Sequence, residues 1–559
     1  MAIPRGVRAA ATGAVLTAVL AACATTPGGP RAGHPAERAA GAGGGTGPAA
    51  RPVIRTDAGT VRGLADGAVL RYRGIPYARP PVGDRRWAPP ERPVPWTGVR
   101  EAAKSGAACA QDPAGFFAVA DSSEDCLYLD ITAPRAAAPA GRKPVMVWIH
   151  GGGLQSGSGS QYDLAPLVTR GDVIGITINY RLGALGFLND PALGPGADNL
   201  GLRDQTAALS WVRRNAAAFG GDPENVTVFG ESAGAYSTCA LVASPATEGL
   251  IDRAIVQSGP CSGYFPAGTS APGVERHGLY VSQEEARPAD RAAIEAAGCG
   301  TAGDVLSCLR ATDVKTWLTG PHATALARPV YGGTAAFLPE DPAKAAREGR
   351  TADIPMILGT TRDEWTMFSA MRAAEAPFDR TYFHALLDTA YGRDRNRITA
   401  VYPVGTGPYA RAVLWGRITA DQGFTCPSLA DARAMDTHGR SRAYAYLFDD
   451  PNQPGADGTA FGAPEGFPST ATHGSDLIAL FGDPAHTPAQ RRLSERMITY
   501  WTTFARTGDP NTPTLPTWPP ATTNGTTLLT LAPDGIAPVG PADVENTHHC
   551  ALFASLDGG

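Results

Sequence analysis

Gly230-Glu231-Ser232-Ala233-Gly234 decides the reading of this chain, through what stands on either side of it. Upstream, Val226-Thr227-Val228-Phe229 is a short β-branched run that predicts a buried strand. Downstream, Ala235 to Ala243 is mostly small and helix-compatible. A G-x-S-x-G between strand and helix is a nucleophile elbow, in which the serine occupies a strained turn that tolerates only small neighbours. Its hydroxyl then stands at the top of a sheet, over the positive end of the following helix. With 67 glycines among 559 residues, the bare pattern carries little weight. The strand-turn-helix setting and the partners below carry it.

Further strands are predicted at Val145–Ile149, Val173–Ile178, Ala254–Gln257, Ile354–Leu358 and Ala443–Phe448, all short apolar runs. Leu202 to Phe219 has helical spacing, and Gly220-Gly221-Asp222-Pro223 predicts its end. Strands alternating with helices argue for an α/β fold with a mainly parallel, doubly wound sheet. Residues 263 to 350 and 370 to 440 are rich in Ala and Arg, and are expected to be helical excursions that form a lid or pocket wall.

An exposed serine is a poor nucleophile without a base, and the base needs an orienting acid. After such an elbow the chain order is Ser, then Asp or Glu, then His. Glu364 follows the strand ending at Leu358, and His473 lies in a loop after the strand ending at Phe448, which puts both at the sheet edge that carries Ser232. Asp363 adjoins Glu364 and remains a rival for the acid. His438 precedes its strand and so sits at the wrong edge, while His384 and His486 have plain helical or loop contexts. Acyl transfer also needs donors for an oxyanion. His150-Gly151-Gly152-Gly153 directly follows the Val145–Ile149 strand, where open α/β sheets place their sites. Two of these amides plus that of Ala233 would form the hole.

The N-terminus has the pattern of an export signal. Arg5 and Arg8 precede the apolar run Ala9 to Ala22, too short for a membrane span, and Leu20-Ala21-Ala22-Cys23 resembles a bacterial lipobox. Residues 1–23 are thus expected to be a signal peptide with lipidation at Cys23, ordinary cleavage after Ala24 being the rival. A single lipidated residue would tether the protein to a surface. Residues 24–51 are Gly, Pro, Ala and Thr with almost no large apolar side chain and are expected to be a flexible linker to a body spanning 52–559. Apart from Cys23, eight cysteines remain, an even number suited to an oxidising compartment. They allow roughly a hundred pairings. Chain order suggests Cys109 with Cys126, Cys239 with Cys261, Cys299 with Cys308 and Cys426 with Cys550. A net charge of −5 with no basic patch gives a nucleic-acid partner no electrostatic support.

From about Val53 to its C-terminus the chain resembles the type-B carboxylesterases, the α/β-hydrolase family that includes the cholinesterases. The resemblance is carried by Arg73-Gly74-Ile75-Pro76-Tyr77-Ala78, Pro80-Pro81-Val82-Gly83, Glu124-Asp125-Cys126-Leu127-Tyr128-Leu129, Asn199-Leu200-Gly201-Leu202-Arg203-Asp204-Gln205, the elbow itself and Gly508-Asp509-Pro510-Asn511. It implies Ser232 as nucleophile, Glu364 as acid, His473 as base, and Gly152, Gly153 and Ala233 as the oxyanion hole. Glu231 and Ser258 would be supporting groups near His473, and Cys109–Cys126 a family disulfide beside the gorge. No metal or cofactor is implied. Three positions depart from the pattern: Leu154 stands where an aromatic is common, Trp365 where Gly follows the acid, and Asp476 where Glu follows His-Gly. The loop between Cys109 and Cys126 has Phe116 and Phe117 but no Trp, so choline esters, which the cholinesterases hold by a cation–π contact, are not the expected substrate.

The function so implied is hydrolysis of small-to-medium carboxylic esters through an acyl-enzyme, on an exported and lipid-anchored protein whose partner is a small-molecule ester. Cleavage of an amide, carbamate or lactone uses the same triad. A non-catalytic adhesion module on this fold is the reading from another class; such relatives lose Ser or His, and both are present here.

Overall fold

The computed structural model describes residues 51–557, apart from 116, 136–140, 270, 320–325, 334–336, 440, 457, 460–461 and 523–526. The expected signal peptide with Cys23, nearly all of the expected linker, and Phe116 therefore lie outside the described residues.

Eleven strands make the central sheet: β1 Leu64–Asp66, β2 Val69–Pro76, β3 Tyr128–Pro134, β4 Lys143–Ile149, β5 Ile174–Ile178, β6 Gly221–Glu231, β7 Arg253–Gln257, β8 Met356–Thr361, β9 Ala443–Phe448, β10 Leu528–Ala532 and β11 Gly535–Val539. Their spatial order is β11-β10-β9-β8-β7-β6-β4-β5-β3-β2-β1. Pairings from β10 through β5 are parallel, and both edges are antiparallel. The parallel strands read as unbroken apolar runs because helices cover both faces. Along β4, Val145, Val147 and Ile149 enter one core while Met146 and Trp148 enter the other. The first core holds the helices Leu200–Asn215, Ala233–Ala243 and Cys426–His438; the second holds Ala165–Gly171, Ser475–Phe481 and Pro488–Thr507. Trp148 anchors the second core, with ring centroids 4.9 Å from Phe229 and 5.0 Å from Phe481. Each such aromatic pair adds about 0.5–1.5 kcal/mol beyond its area burial.

The strand order reverses between β4 and β6: β5 lies on one side of β4 and β6 on the other. At such a switch point the loops leaving the two strands part and open a crevice. Gly230 of β6 pairs with Ile149 of β4, so the glycine loop after Ile149 and the elbow after Glu231 leave the sheet side by side.

Every predicted parallel strand is present. The helix predicted over 202–219 runs as Leu200–Asn215 with a 3₁₀ turn Ala216–Phe219. Gly220 stops it at φ 86°, whereas Gly221 to Pro223 already belong to β6 rather than to a stop. The described residues from 370 to 439 are mostly helical, including a π-helical turn at Asp421–Thr425. Residues 263–350 are only partly so, since backbone pairing also forms two small ladders, Tyr264–Phe265 with His277–Gly278 and Val281–Ser282 with Val330–Tyr331. All four disulfides suggested by chain order are formed: Cys109–Cys126, Cys239–Cys261, Cys299–Cys308 and Cys426–Cys550. On a chain-entropy account, closing the loop between Cys109 and Cys126 contributes about 3 kcal/mol.

Candidate active site

Ser232 sits between β6 and the helix Ala233–Ala243 at φ 56°, ψ −123°, a left-handed conformation rare for a residue with a Cβ. The structure over-determines it. The Ser232 amide donates to the Gln257 carbonyl at 3.0 Å, and the Tyr236 amide donates to the Ser232 carbonyl at 3.0 Å. The flanking glycines are required by contact: a Cβ at Gly230 would lie 2.5 Å from the Gly234 carbonyl oxygen, and one at Gly234 would lie 2.0 Å from that of Ile149. Strain, close approach and helix dipole thus converge on one half-buried hydroxyl.

The loop after β4 lies over this serine. A Cβ on Gly151 would come within 3.1 Å of the Ser232 Cβ. Gly152, Gly153 and Leu154 follow at φ 99°, 63° and 60°. Among the described residues the amides of Gly152 and Gly153 donate to no acceptor. The amide of Ala233, first in its helix, has no intrahelical partner either. His150 holds the start of the loop: its ring stacks on Tyr180 at 4.4 Å, and its carbonyl accepts the Tyr180 hydroxyl at 2.7 Å. Burial pushes its imidazole down to about 4, so it stays neutral there.

Glu364 and His473 meet as the chain order implied. His473 Nδ1 lies 2.6 Å from Glu364 Oε2, and Glu364 Oε1 accepts the Thr361 amide at 2.8 Å. Asp363, the rival acid, is occupied elsewhere. Its Oδ1 accepts Arg417 Nε at 2.8 Å, and its backbone amide donates to the Ala471 carbonyl at 2.9 Å, anchoring the segment that carries His473. The other nitrogen of the ring, Nε2, lies 3.1 Å from Glu231 Oε1; no hydrogen bond joins it to Ser232 in this arrangement. Burial opposes charge on this imidazole, but the carboxylates of Glu231 and Glu364 outweigh burial and push it up to about 9. Burial in turn lifts Glu231 to about 8, checked by the imidazolium and reinforced by Asp476 and Glu364.

Ser258, expected beside His473, is not among its partners; it is buried at φ 53°, and its hydroxyl is unpaired among the described residues. Asp476 Oδ2 accepts the Tyr446 hydroxyl at 2.7 Å and Gln257 Nε2 at 3.0 Å. Of the other histidines weighed, His384 lies on the helix Arg380–Tyr391, His438 ends the helix before β9, and His486 is buried against Gln453 at 2.9 Å. Two aromatic rings were not foreseen. Phe368 and Phe424 stand 5.7 and 5.8 Å from the His473 ring and come from separate helical excursions. Their spacing in the chain carries no signal that would have joined them.

A mixed eleven-stranded sheet with a strained serine at its switch point and a carboxylate-bound imidazole beside it defines an α/β-hydrolase. Comparison with known proteins agrees. Residues 50–542 match the model of the carboxylesterase family. The chain is 34% identical to para-nitrobenzyl esterase of Bacillus subtilis over 493 residues, 84% of this chain and 92% of the relative. It is 32% identical to phenmedipham hydrolase of Pseudarthrobacter oxydans over 87% of this chain and 96% of the relative. The solved structure of a thermophilic PNB esterase aligns with a TM-score of 0.72 at 31% identity, covering 90% of this chain and all of that one. The chain belongs to the carboxylesterase family and is a serine ester hydrolase.

Proposed function

We propose that residues 52–559 hydrolyse small-to-medium carboxylic esters with Ser232 as nucleophile, His473 as general base and acid, and Glu364 as the group that orients the imidazole. His473 Nε2 leaves Glu231 and takes the Ser232 proton as Oγ bonds to the ester carbonyl carbon. The oxygen gains the negative charge, and the amides of Gly152, Gly153 and Ala233 stabilise it. Each such donor is worth about 10²–10³ in kcat. His473 then delivers the proton to the departing alcohol as the C–O bond breaks. Water, deprotonated by the same imidazole, attacks the acyl-serine; the C–Oγ bond breaks, His473 returns the proton to Ser232 Oγ, and the acid is released.

The observation that carries this reading is the Glu364–His473 contact of 2.6 Å beside an elbow serine over which a run of unpaired amides lies. The name of the Bacillus relative makes para-nitrobenzyl esters a natural first substrate. Ser232→Ala should lower turnover of a p-nitrophenyl ester by about five to six orders of magnitude. Turnover like that of the unaltered chain would reject the assignment.

We also propose export, with residues 1–23 as the signal, Cys23 as the lipidated residue, and 24–51 as the tether. Four disulfides in the body suit an oxidising compartment and support this. Mass spectrometry of the mature N-terminus tests it; an unmodified Met1 or a lipid-free mature terminus would contradict it.

A further inference from the structure

Trp365 follows the acid, and none of the steps above uses it. Its indole is buried, 4.2 Å from the ring of Phe368, 5.5 Å from Phe265 and 6.1 Å from Phe424, and its Nε1 donates to the Thr269 carbonyl at 3.3 Å. Phe368 and Phe424 are the rings that flank His473. Trp365 is therefore the common backing of both rings that border the catalytic imidazole.

Trp365 and Phe368 also line a small crevice, together with Ser369, Arg372, Tyr382 and Trp415. Ser369 is buried there with its hydroxyl unpaired among the described residues. Arg372 lies over the Tyr382 ring at 4.5 Å. The crevice is thus walled largely by aromatic faces, and one of them, Phe368, also borders His473.

We propose that Trp365 is the size-determining residue of this esterase: it closes the substrate pocket against the aromatic crevice and restricts the ester to a small substituent beside His473. The proposal rests on the assignment of Ser232 and His473 above. An ester whose carbonyl carbon is at Ser232 and whose leaving oxygen is within reach of His473 must set one of its two substituents against the rings that flank the imidazole. Those rings cannot recede while the indole stands behind them, because a close-packed interior resists overfilling. Without the indole, the volume it vacates joins the crevice and gives a longer or aromatic group room beside His473.

The test compares the full-length chain with Trp365→Ala and Trp365→Leu on two substrate series. One varies the acyl chain of p-nitrophenyl esters from acetate to octanoate; the other keeps acetate and enlarges the alcohol to a naphthyl group. The kcat/KM ratio of large to small ester should rise about tenfold or more in one series for Trp365→Ala, and by less for Trp365→Leu. A cooperative urea transition shows that each variant is folded, and measurable cleavage of p-nitrophenyl acetate shows that its triad still works. The series that responds shows whether the acyl or the alcohol group lies against the wall. Adding Ser369→Phe to Trp365→Ala refills the space from the far side and should restore the preference for small esters. Unchanged ratios in both series, in variants that still cleave the acetate, overturn the proposal. A parent chain inert on every ester would instead remove the reading beneath it.

Discussion

Among the described residues two buried imidazoles each hold a carboxylate at Nδ1, and their surroundings differ. Glu364 holds His473 Nδ1 at 2.6 Å, and Asp421 holds His548 Nδ1 at 2.5 Å. In both, imidazole and carboxylate are buried. The difference lies around them. The first stands at the carboxyl edge of the sheet, with a strained serine, a glycine loop and a second carboxylate, Glu231, at its other nitrogen. The second ends the helix Pro541–His548, and its Asp421 also accepts the Tyr402 hydroxyl at 2.7 Å. With the neighbouring Cys426–Cys550 disulfide, it fastens the C-terminal helices to the π-helical turn Asp421–Thr425. A dyad's geometry is therefore insufficient; the strand switch sets a strained serine and a glycine loop beside one pair and not the other.

Substitution should separate the two pairs, and the largest effect falls on the bases. His473→Ala should lower kcat by about five to six orders of magnitude on a p-nitrophenyl ester, while His548→Ala leaves kcat within about threefold. Similar losses in both would erase the distinction. Glu364→Gln keeps the shape but favours the wrong tautomer of His473, and should reduce kcat about 10⁴-fold. Asp363→Asn is the contrast: it should cost stability at Arg417 and less than about tenfold in rate, because Asp363 touches no reacting group. For the other pair the readout is stability. Removing one partner of a buried hydrogen bond leaves the other unsatisfied and costs about 1–3 kcal/mol, so Asp421→Ala should lower the urea midpoint of unfolding without abolishing activity.

The smallest effect concerns pH. An anion beside His473 favours its protonated form, which cannot act as base. Glu231→Gln removes that anion, so the acidic limb of kcat/KM should move to lower pH by about one to two units. A limb that stays fixed, or moves upward, would show that Glu231 does not set this titration.

The same contrast explains what could be read from the chain. The parallel strands were legible because burial on both faces leaves continuous apolar runs such as Val145–Ile149. The antiparallel edges were not: β1 has three residues, ending in exposed Asp66, and β2 carries Arg71 and Arg73 among its apolar positions. Ser232, Glu364 and His473 could be named as candidates because chain order and strand ends constrain an elbow serine's partners. That Arg417 occupies Asp363 while Glu364 meets His473 shows only in the packing, because the two acids adjoin in the chain. The aromatic wall of Phe265, Phe368 and Phe424 was invisible, because rings drawn from three separate segments meet only after the excursions fold onto the sheet. The buried Asp421–His548 pair escaped for the same reason.

The most direct test of the central claim is mass-spectrometric mapping of a fluorophosphonate probe on the native chain. The account predicts near-stoichiometric phosphonylation of Ser232 alone, lost in Ser232→Ala and strongly slowed in His473→Ala, but unchanged in His548→Ala. Labelling of another serine, or undiminished labelling in Ser232→Ala, would contradict it.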